Sequence, residues 1–208
     1  RNLYAWKHIS PNGKPVRADA IVVPAHVKPA DIETFFALAE RMPNVDGIIV
    51  TVPHKFDAYG LCATATERAH FLGAVNILRR NADGTWHGDQ VDGIRFVEGI
   101  RGAGCVTEGQ RAWMAGAGGA GSAIALALLD AGVADLAIHD GDLSRREALI
   151  ERLKQRHGDK VRAGSRDPGG CGIVVNATPS GMREGDSVPV DAARLTKAMF
   201  VGDVITAP

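Results

Sequence analysis

The stretch Arg111–Asp140 constrains this chain more than any other. It reads R-A-W-M-A-G-A-G-G-A-G-S-A-I-A-L-A-L-L-D-A-G-V-A-D-L-A-I-H-D. A short apolar run, Ala112 to Ala115, has the length and bounds of a buried strand. It runs into Gly116-Ala117-Gly118-Gly119-Ala120-Gly121, where Gly116, Gly118 and Gly121 fit G-x-G-x-x-G. An Ala- and Leu-rich helix from Ser122 to Leu129 follows, with Gly132 placed to end it. A second strand, Leu136–Ile138, ends at His139-Asp140. Strand, glycine turn, helix, strand and terminal acid are the parts of a dinucleotide-binding βαβ unit. Glycines let the backbone approach a pyrophosphate, and the helix N-terminus offers it free N–H groups and a positive dipole end. Asp140 lies 19 positions after Gly121, where a ribose-binding acid belongs. A glycine-rich turn without a ligand is the plainer alternative, and the flanking elements weigh against it.

At 208 residues the chain has room for one or two domains. A 45% hydrophobic fraction suits a globular protein with a proper core. Lys plus Arg equals Asp plus Glu, 24 each, which gives no electrostatic footprint for nucleic acid or anionic membrane. No apolar run approaches the roughly 18 residues needed to span a membrane, and the first residues do not form a signal peptide. Cys62, Cys105 and Cys171 are odd in number and widely spaced, so they suggest neither a disulfide framework nor a metal site. The expectation is a cytoplasmic protein without a metal.

In order, the chain predicts a strand at Ala20–Val23 and then a helix with Ile32, Phe35, Phe36 and Ala39 on one face. A strand at Ile48–Val52 stops at Pro53, and a helix starts near His54-Lys55. Strands at Ala74–Arg79 and Thr85–Gly88 flank the hairpin turn Asn81–Gly84. Asp92 is expected to cap a helix over Gly93–Arg101. In the second half, Ser144 and Glu147 have capping-box spacing for a helix to His157. Ile173–Asn176 and Phe200–Ile205 are further strands. Strands alternate with helices throughout, so an α/β protein with parallel sheets is expected beside that hairpin. A glycine-rich break near residues 102–110 divides the chain into units 1–103 and 104–208.

Chemistry-bearing residues gather at predicted strand ends and helix starts. They are Thr51 and Lys55 in V-T-V-P-H-K, Asn76 in G-A-V-N, and Asp92 in G-D-Q-V-D-G. In open α/β sheets, ligands bind beyond the carboxyl ends of strands, so such residues can meet in one cleft. Each also has a plain structural reading: Lys55 as a solvated helix-start lysine, Asp92 as an N-cap, Asn76 and Thr51 as backbone-satisfying polar residues.

These three motifs, followed by G-A-G-G-A-G and V-N-A-T-P-S-G-M, together resemble the shikimate/quinate dehydrogenase family in order and spacing, from about Ala20 to Pro208. The resemblance implies an α/β enzyme of two domains. Residues 1–103 would form a substrate-binding domain, incomplete at its N-terminus. Residues 104–208 would form a Rossmann-type NAD(P)-binding domain without its C-terminal helices. The implied activity is hydride exchange between a nicotinamide and the carbon bearing the 3-hydroxyl of shikimate or quinate, in the pathway to aromatic amino acids. The resemblance implies Lys55 and Asp92 as the catalytic pair, and Thr51 and Asn76 as substrate-binding residues. It implies Gly116, Ala117, Gly118, Gly119, Ala120 and Gly121 at the pyrophosphate, and Thr178 beside the nicotinamide.

Two departures stand out. The family's N-T-D-G is Gln90-Val91-Asp92-Gly93 here, and the methyl of Val91 replaces a hydroxyl. Where NADP-using members carry Asn-Arg-Thr, this chain has Asp140-Gly141-Asp142. Two carboxylates favour ribose hydroxyls over a phosphate, so NAD is the expected cofactor and NADP the lesser one. Arg145 and Arg146 are the counterweight, with Arg145 placed to pack on the adenine or reach a phosphate. A sister dehydrogenase for another hydroxy acid, or a nucleotide-binding regulator without turnover, are the rival readings. The expected partners are a small hydroxy acid and, at most, a second copy of the chain as a homodimer.

Overall fold

The structure is a computed structural model that describes residues 21–205 together with the backbone pairing of two short strands, β1 (His8–Ile9) and β2 (Pro15–Val16). The first unit contains α1 (Ile32–Glu40), β3 (Gly47–Ile49), α2 (Lys55–Gly60), β4 (Thr64–Ala65), α3 (Glu67–Leu72), β5 (Ile77–Arg80) and β6 (Trp86–Asp89). The helix α4 (Asp92–Gly102) leads to the second unit. That unit contains β7 (Arg111–Ala115), α5 (Gly119–Asp130), β8 (Asp135–His139), α6 (Leu143–His157), β9 (Val161–Ala163), β10 (Ile173–Asn176) and β11 (Phe200–Asp203).

The second sheet matches its expectation. All its strands are parallel, in the order β11-β10-β7-β8-β9. The chain moves outward on one side from β7 through β8 to β9, then returns to place β10 on the other side. The crevice between β7 and β10 is therefore the topological switch point, where such sheets bind ligands. The first sheet is mixed, which keeps the hairpin read at Asn81–Gly84 but departs from the parallel pairing expected elsewhere. Its order is β3-β5-β6-β4, with β3–β5 and β5–β6 antiparallel and only β4–β6 parallel. The physical reason is the tight turn after β5, where Gly84 takes φ +89°. A turn that short can join only antiparallel neighbours.

Other elements differ from expectation in instructive ways. Ile21–Lys28 has no regular structure, and Ile21 and Val23 are exposed, so the expected strand there is absent over its described part; Ala20 lies outside the described residues. An apolar run becomes a strand only when another strand pairs with it, and no described strand does. The helix α3 and the strands β4 and β9 were not foreseen, each too short for a periodic signal. In α6 the N-cap is Asp142, whose side chain accepts from the Arg145 N–H; Ser144 instead donates to Asp142 at 2.7 Å. A carboxylate two residues upstream outcompetes the hydroxyl for the helix N–H groups.

One core runs across both units. Leu72 and Ala74 from the first unit, and Val97 and Ile100 from α4, pack with the α5, β7, β8 and β10 residues of the second. A separate cluster around Phe36, Val75, Leu78 and Trp86 fills the first unit. The joint between the units is α4 against α5. A Cβ at Gly93 would lie 2.0 Å from the carbonyl oxygen of Ala123 and 2.9 Å from the Ala127 methyl, so the two helices touch backbone to backbone.

Two opposed effects decide the outcome of Gly93→Ala. Helix propensity favours alanine by roughly 1 kcal/mol. Overpacking costs about 1–3 kcal/mol, and the obstructing atom here is a backbone carbonyl that cannot rotate away. Gly93→Ala is expected to lower the denaturant midpoint, whereas Gly99→Ala on the same helix, where a Cβ meets nothing, is expected to raise or preserve it.

Candidate active site

The sequence Val50-Thr51-Val52-Pro53-His54 leaves β3 and delivers Lys55 as the first residue of α2. His54 is buried, and its Nε2 lies 2.9 Å from the carbonyl oxygen of Val27, which ties this start to the irregular segment before α1. The backbone carbonyl of Lys55 accepts from the Val75 N–H at 2.9 Å. Lys55 itself is buried to 8% exposure.

Its partner is Asp92. Lys55 Nζ donates to Asp92 Oδ2 at 2.6 Å, and Asn76 Nδ2 donates to Asp92 Oδ1 at 2.5 Å. The Val91 N–H in turn donates to Asn76 Oδ1 at 2.9 Å. Lys55, Asn76 and Asp92 thus form one network, although they are far apart in sequence. The structure corrects the capping expectation for Asp92. Its carboxylate accepts from Lys55 and Asn76, one at each oxygen, and it is the first residue inside α4 rather than the cap. Gln90 supplies the end group: its Oε1 accepts from the Asp92 N–H at 3.0 Å. A glutamine two residues before a helix was not read as its terminator, since the usual caps are Ser, Thr, Asp and Asn. Thr51 is exposed, and its hydroxyl forms no hydrogen bond among the described residues. It stands four residues before Lys55 without joining the network.

The glycine loop closes against this network. A Cβ at Gly119 would lie 3.0 Å from both Cβ and Cδ of Lys55, so the lysine stem rests on the loop's backbone. Gly116 has φ +104°, and a Cβ there would meet the Ala177 carbonyl oxygen at 2.6 Å. Gly121 would place one 2.1 Å from the Gly116 carbonyl oxygen, so α5 lies directly on the loop. Gly118 is the N-cap of α5 and carries no side chain to satisfy its N–H groups; Gly119 and Ala120 form the first turn. A backbone cradle with unsatisfied donors and a helix dipole fits a pyrophosphate.

Thr178 sits across the switch point from that loop, its backbone nitrogen 3.0 Å from where a Gly116 Cβ would be. Its hydroxyl donates to Asn176 Oδ1 at 2.7 Å, and Asn176 Nδ2 donates to the Asp203 carboxylate at 3.2 Å. Asn176 and Asp203 therefore fix the Thr178 loop. The N-A-T order hinted at the first; only the parallel pairing of β10 and β11 brings in the second.

Asp140 is buried to 6% exposure. Its Oδ2 accepts from the Ala117 N–H at 2.6 Å. Its Oδ1 accepts from the Asp142 N–H at 2.8 Å and from Arg145 Nη2 at 2.8 Å. A carboxylate has about four acceptor positions, so roughly one remains for a ligand. That corrects the idea of a free acid able to hold two ribose hydroxyls. Burial pushes its pKa up, but the hydrogen bonds from Arg145 and from the Asp142 and Ala117 N–H groups, with the arginine charge, hold it below the ordinary carboxylate value. Among the described residues no group of three or more His, Cys, Asp and Glu is placed to hold a metal ion, and no helix is long and apolar enough to cross a membrane.

Known proteins resemble this chain over most of its length. The family model for the shikimate dehydrogenase substrate binding domain matches residues 12–78. A shikimate dehydrogenase (NADP(+)) of Rubrobacter xylanophilus is 35% identical, covering 90% of this chain and 67% of the relative. One from Rhodospirillum rubrum is 32% identical, covering 91% and 69%. One from Stenotrophomonas maltophilia is 39% identical but covers 72% of this chain and 54% of its own. The chain thus spans about half to two thirds of the length of these relatives. Among solved structures, quinate dehydrogenase from Corynebacterium glutamicum in complex with NAD superposes with a TM-score of 0.75 at 31% identity, covering 84% of this chain and 64% of that one. The 5-ketofructose reductase of a Gluconobacter strain superposes with a TM-score of 0.72 at 29% identity, covering 87% and 66%.

The Asp140 contacts have a measurable consequence. Asp140→Ala leaves the Ala117 N–H buried without its acceptor, a loss of about 1–3 kcal/mol in unfolding free energy by denaturant titration. A depressed carboxylate stabilises the fold above its unfolded pKa and loses that contribution as pH falls through the folded value. For Asp140 the loss therefore lies below about pH 4. The gap between wild type and variant is expected to be constant at neutral pH and to shrink under acid; a gap that widens with acid would show that Asp140 is not held as a carboxylate.

Proposed function

The chain belongs to the shikimate dehydrogenase family, and from that premise we propose that it is an oxidoreductase moving a hydride between a nicotinamide dinucleotide and a ring carbon of a polyhydroxylated cyclic carboxylic acid, with shikimate or quinate as the substrate class. The observation that carries the proposal is the contact of the Lys55–Asp92–Asn76 network with the glycine loop at Gly119, which sets an acid–base group beside a dinucleotide cradle. Residues 1–103 serve the substrate and residues 104–208 the cofactor. When bound, the cofactor supplies the hydride acceptor or donor. Gly116, Ala117, Gly118, Gly119, Ala120 and Gly121 hold its pyrophosphate, Asp140 and Arg145 its adenosine end, and Thr178 lies on the nicotinamide side.

Lys55 handles the proton. In oxidation its neutral amine takes the hydroxyl proton as the C–H electron pair leaves as hydride; in reduction its ammonium returns a proton to the carbonyl oxygen. Asp92 orients Nζ through the 2.6 Å bond, and Asn76 holds Asp92. Asn76 keeps one N–H for a substrate hydroxyl, and the exposed Thr51 offers a hydroxyl that has no partner among the described residues. Val91 contributes a methyl where a hydroxyl would bind, which favours a substrate lacking a polar group at that point. A 5-ketofructose reductase of similar fold supports a second reading, in which the ring acid is replaced by another polyhydroxylated carbonyl compound. Retention of the Lys55–Asp92 pair supports turnover over a purely regulatory role.

Lys55→Ala is expected to lower kcat by about 10²–10⁴-fold while leaving dinucleotide affinity nearly unchanged, since positioned acid–base groups contribute on that scale. Stopped turnover with shikimate or quinate, paired with calorimetric titration of the cofactor, measures both. A near-normal kcat removes Lys55 from the chemistry. Asp92→Asn is expected to reduce kcat and, because it leaves the buried Lys55 ammonium without its charge partner, also to lower the melting temperature, so a melting curve accompanies the kinetics.

We infer NAD as the preferred cofactor, against the NADP named for the sequence relatives. Asp140 and Asp142 are acidic, and Gly141 offers no cation to a 2′-phosphate. Among the described residues Arg145 is the cation bonded to Asp140, and that bond partly neutralises it. Wild type is expected to favour NAD in kcat/KM by at least about tenfold, equal to 1.4 kcal/mol. Gly141→Arg is expected to shift the ratio toward NADP, measured at fixed ionic strength. A wild type that prefers NADP would mean that Arg145 dominates the adenosine pocket.

A further inference from the structure

Asp89 ends β6 and Asp92 begins α4, so only Gln90 and Val91 separate them. The first N–H groups of a helix have no partner within it, and a capping side chain satisfies one of them. Here three consecutive N–H groups each meet a different side chain. The Gln90 N–H donates to Asp89 Oδ1 at 2.7 Å, the Val91 N–H to Asn76 Oδ1 at 2.9 Å and the Asp92 N–H to Gln90 Oε1 at 3.0 Å. The link is held at every donor, and the backbone of Asp92 is held with it.

Asp89 anchors the first of these bonds, and it also reaches Asn76. Its backbone carbonyl accepts from the Asn76 N–H at 2.9 Å, so one residue fixes both the start of the link and the strand that carries Asn76. The carboxylate of Asp89 is itself clasped from α3. Arg68 Nε donates to Oδ1 at 2.8 Å and Arg68 Nη2 donates to Oδ2. The hydroxyl of Thr66, the N-cap of α3, donates to Oδ1 at 2.6 Å. A bidentate arginine fixes the orientation of a carboxylate as well as its position. Burial pushes the Asp89 carboxyl up, but the bonds from Arg68, Thr66 and the Gln90 N–H hold it below the ordinary carboxylate value. An ion pair that only tied α3 to the sheet would need Arg68 and Asp89 alone. This one also takes up the Gln90 N–H and, through the carbonyl, Asn76.

We propose that Asp89, clasped by Arg68 and Thr66, is a positioning residue for the acid–base site: it fixes Asn76 and the link to Asp92, and through them aims the Asp92 carboxylate at Lys55. Asp89 acts through two partners. Asn76 bonds one oxygen of that carboxylate, and Gln90 bonds the backbone that carries it. A displacement of about 1 Å at a reacting group costs on the order of 10²-fold in rate, which sets the scale for loss of the clasp. The effect on turnover rests on the reading of Lys55 and Asp92 given above, whereas the effect on the Asn76–Asp92 bond does not, so the two are measured separately.

The test uses isotopically labelled full chain and follows the side-chain amide resonances of Asn76, which report its bond to Asp92 without any turnover. Asp89→Ala and Arg68→Ala are expected to move those resonances and to lower kcat by roughly 10–100-fold with dinucleotide affinity unchanged. Arg68→Lys restores the charge but not the paired bonds, and is expected to fall between wild type and Arg68→Ala. Arg95→Ala removes an exposed ion pair on α4 without touching Asp89, and is expected to leave both the Asn76 resonances and kcat as in wild type. Unmoved Asn76 resonances in Asp89→Ala and Arg68→Ala, or an equal loss of kcat in Arg95→Ala, would overturn the proposal. Moved resonances with an unchanged kcat would leave Asp89 as the residue that places Asp92 and overturn the reading of Asp92 as part of the chemistry. If Asp89→Ala does not fold, Arg68→Ala, at a partly exposed side chain, decides alone.

Discussion

The backbone contact of α4 with α5 is the constraint on which the rest depends. Two helices can approach this closely only where one of them has no side chain, and Gly93 is that point against the Ala123 carbonyl. The contact falls one residue after Asp92 and in the helix that begins with the glycine loop. It therefore sets the distance between the carboxylate of one unit and the loop of the other. Lys55, held by that carboxylate, then lies on Gly119. Arg152, which donates to the Leu72 carbonyl, and Arg156, stacked over Phe71, fasten α6 to α3 and resist rotation about the joint.

At the site itself, charge and burial pull in opposite directions. Lys55 is buried, and a buried ammonium is stable only when paired and hydrogen-bonded. Asp92 supplies the charge, and Asn76 supplies a donor to the second oxygen of the carboxylate, so each carboxylate oxygen has a partner. The same arrangement leaves Nζ with donors directed away from Asp92. An ammonium has three and uses one here, which is what a proton donor to an incoming oxygen requires.

The residue proposed for the adenosine end, Asp140, carries a structural duty of its own. Asp140 ties the glycine loop to β8 by the Ala117 N–H and ties α6 to both by Arg145. Any cofactor preference is set on top of that structural duty. It follows that replacing Asp140 disturbs the loop as well as the charge, whereas Gly141, where a Cβ meets nothing, is the position at which charge can be changed alone.

The sequence determined the second unit nearly completely. Its strands are short continuous apolar runs, its helix follows a glycine fingerprint, and both are local signals that survive without tertiary context. It also singled out Lys55, Asn76 and Asp92 by type and by position at element ends, and the family resemblance joined them. Tertiary structure decided what each of them touches. Asp92 read as a cap because helix N-termini favour aspartate, but the network with Lys55 and Asn76 gives it stronger, charge-assisted partners, and Gln90 takes its place at the helix end. Asp140 read as a free ribose acid because position alone cannot show that three donors already meet it. The antiparallel pairing of β3 with β5 and the lost strand at Ile21–Val23 are likewise decided between distant segments. Strand partners and buried donors are properties of pairs, and a pair distant in sequence is fixed only when the chain has folded.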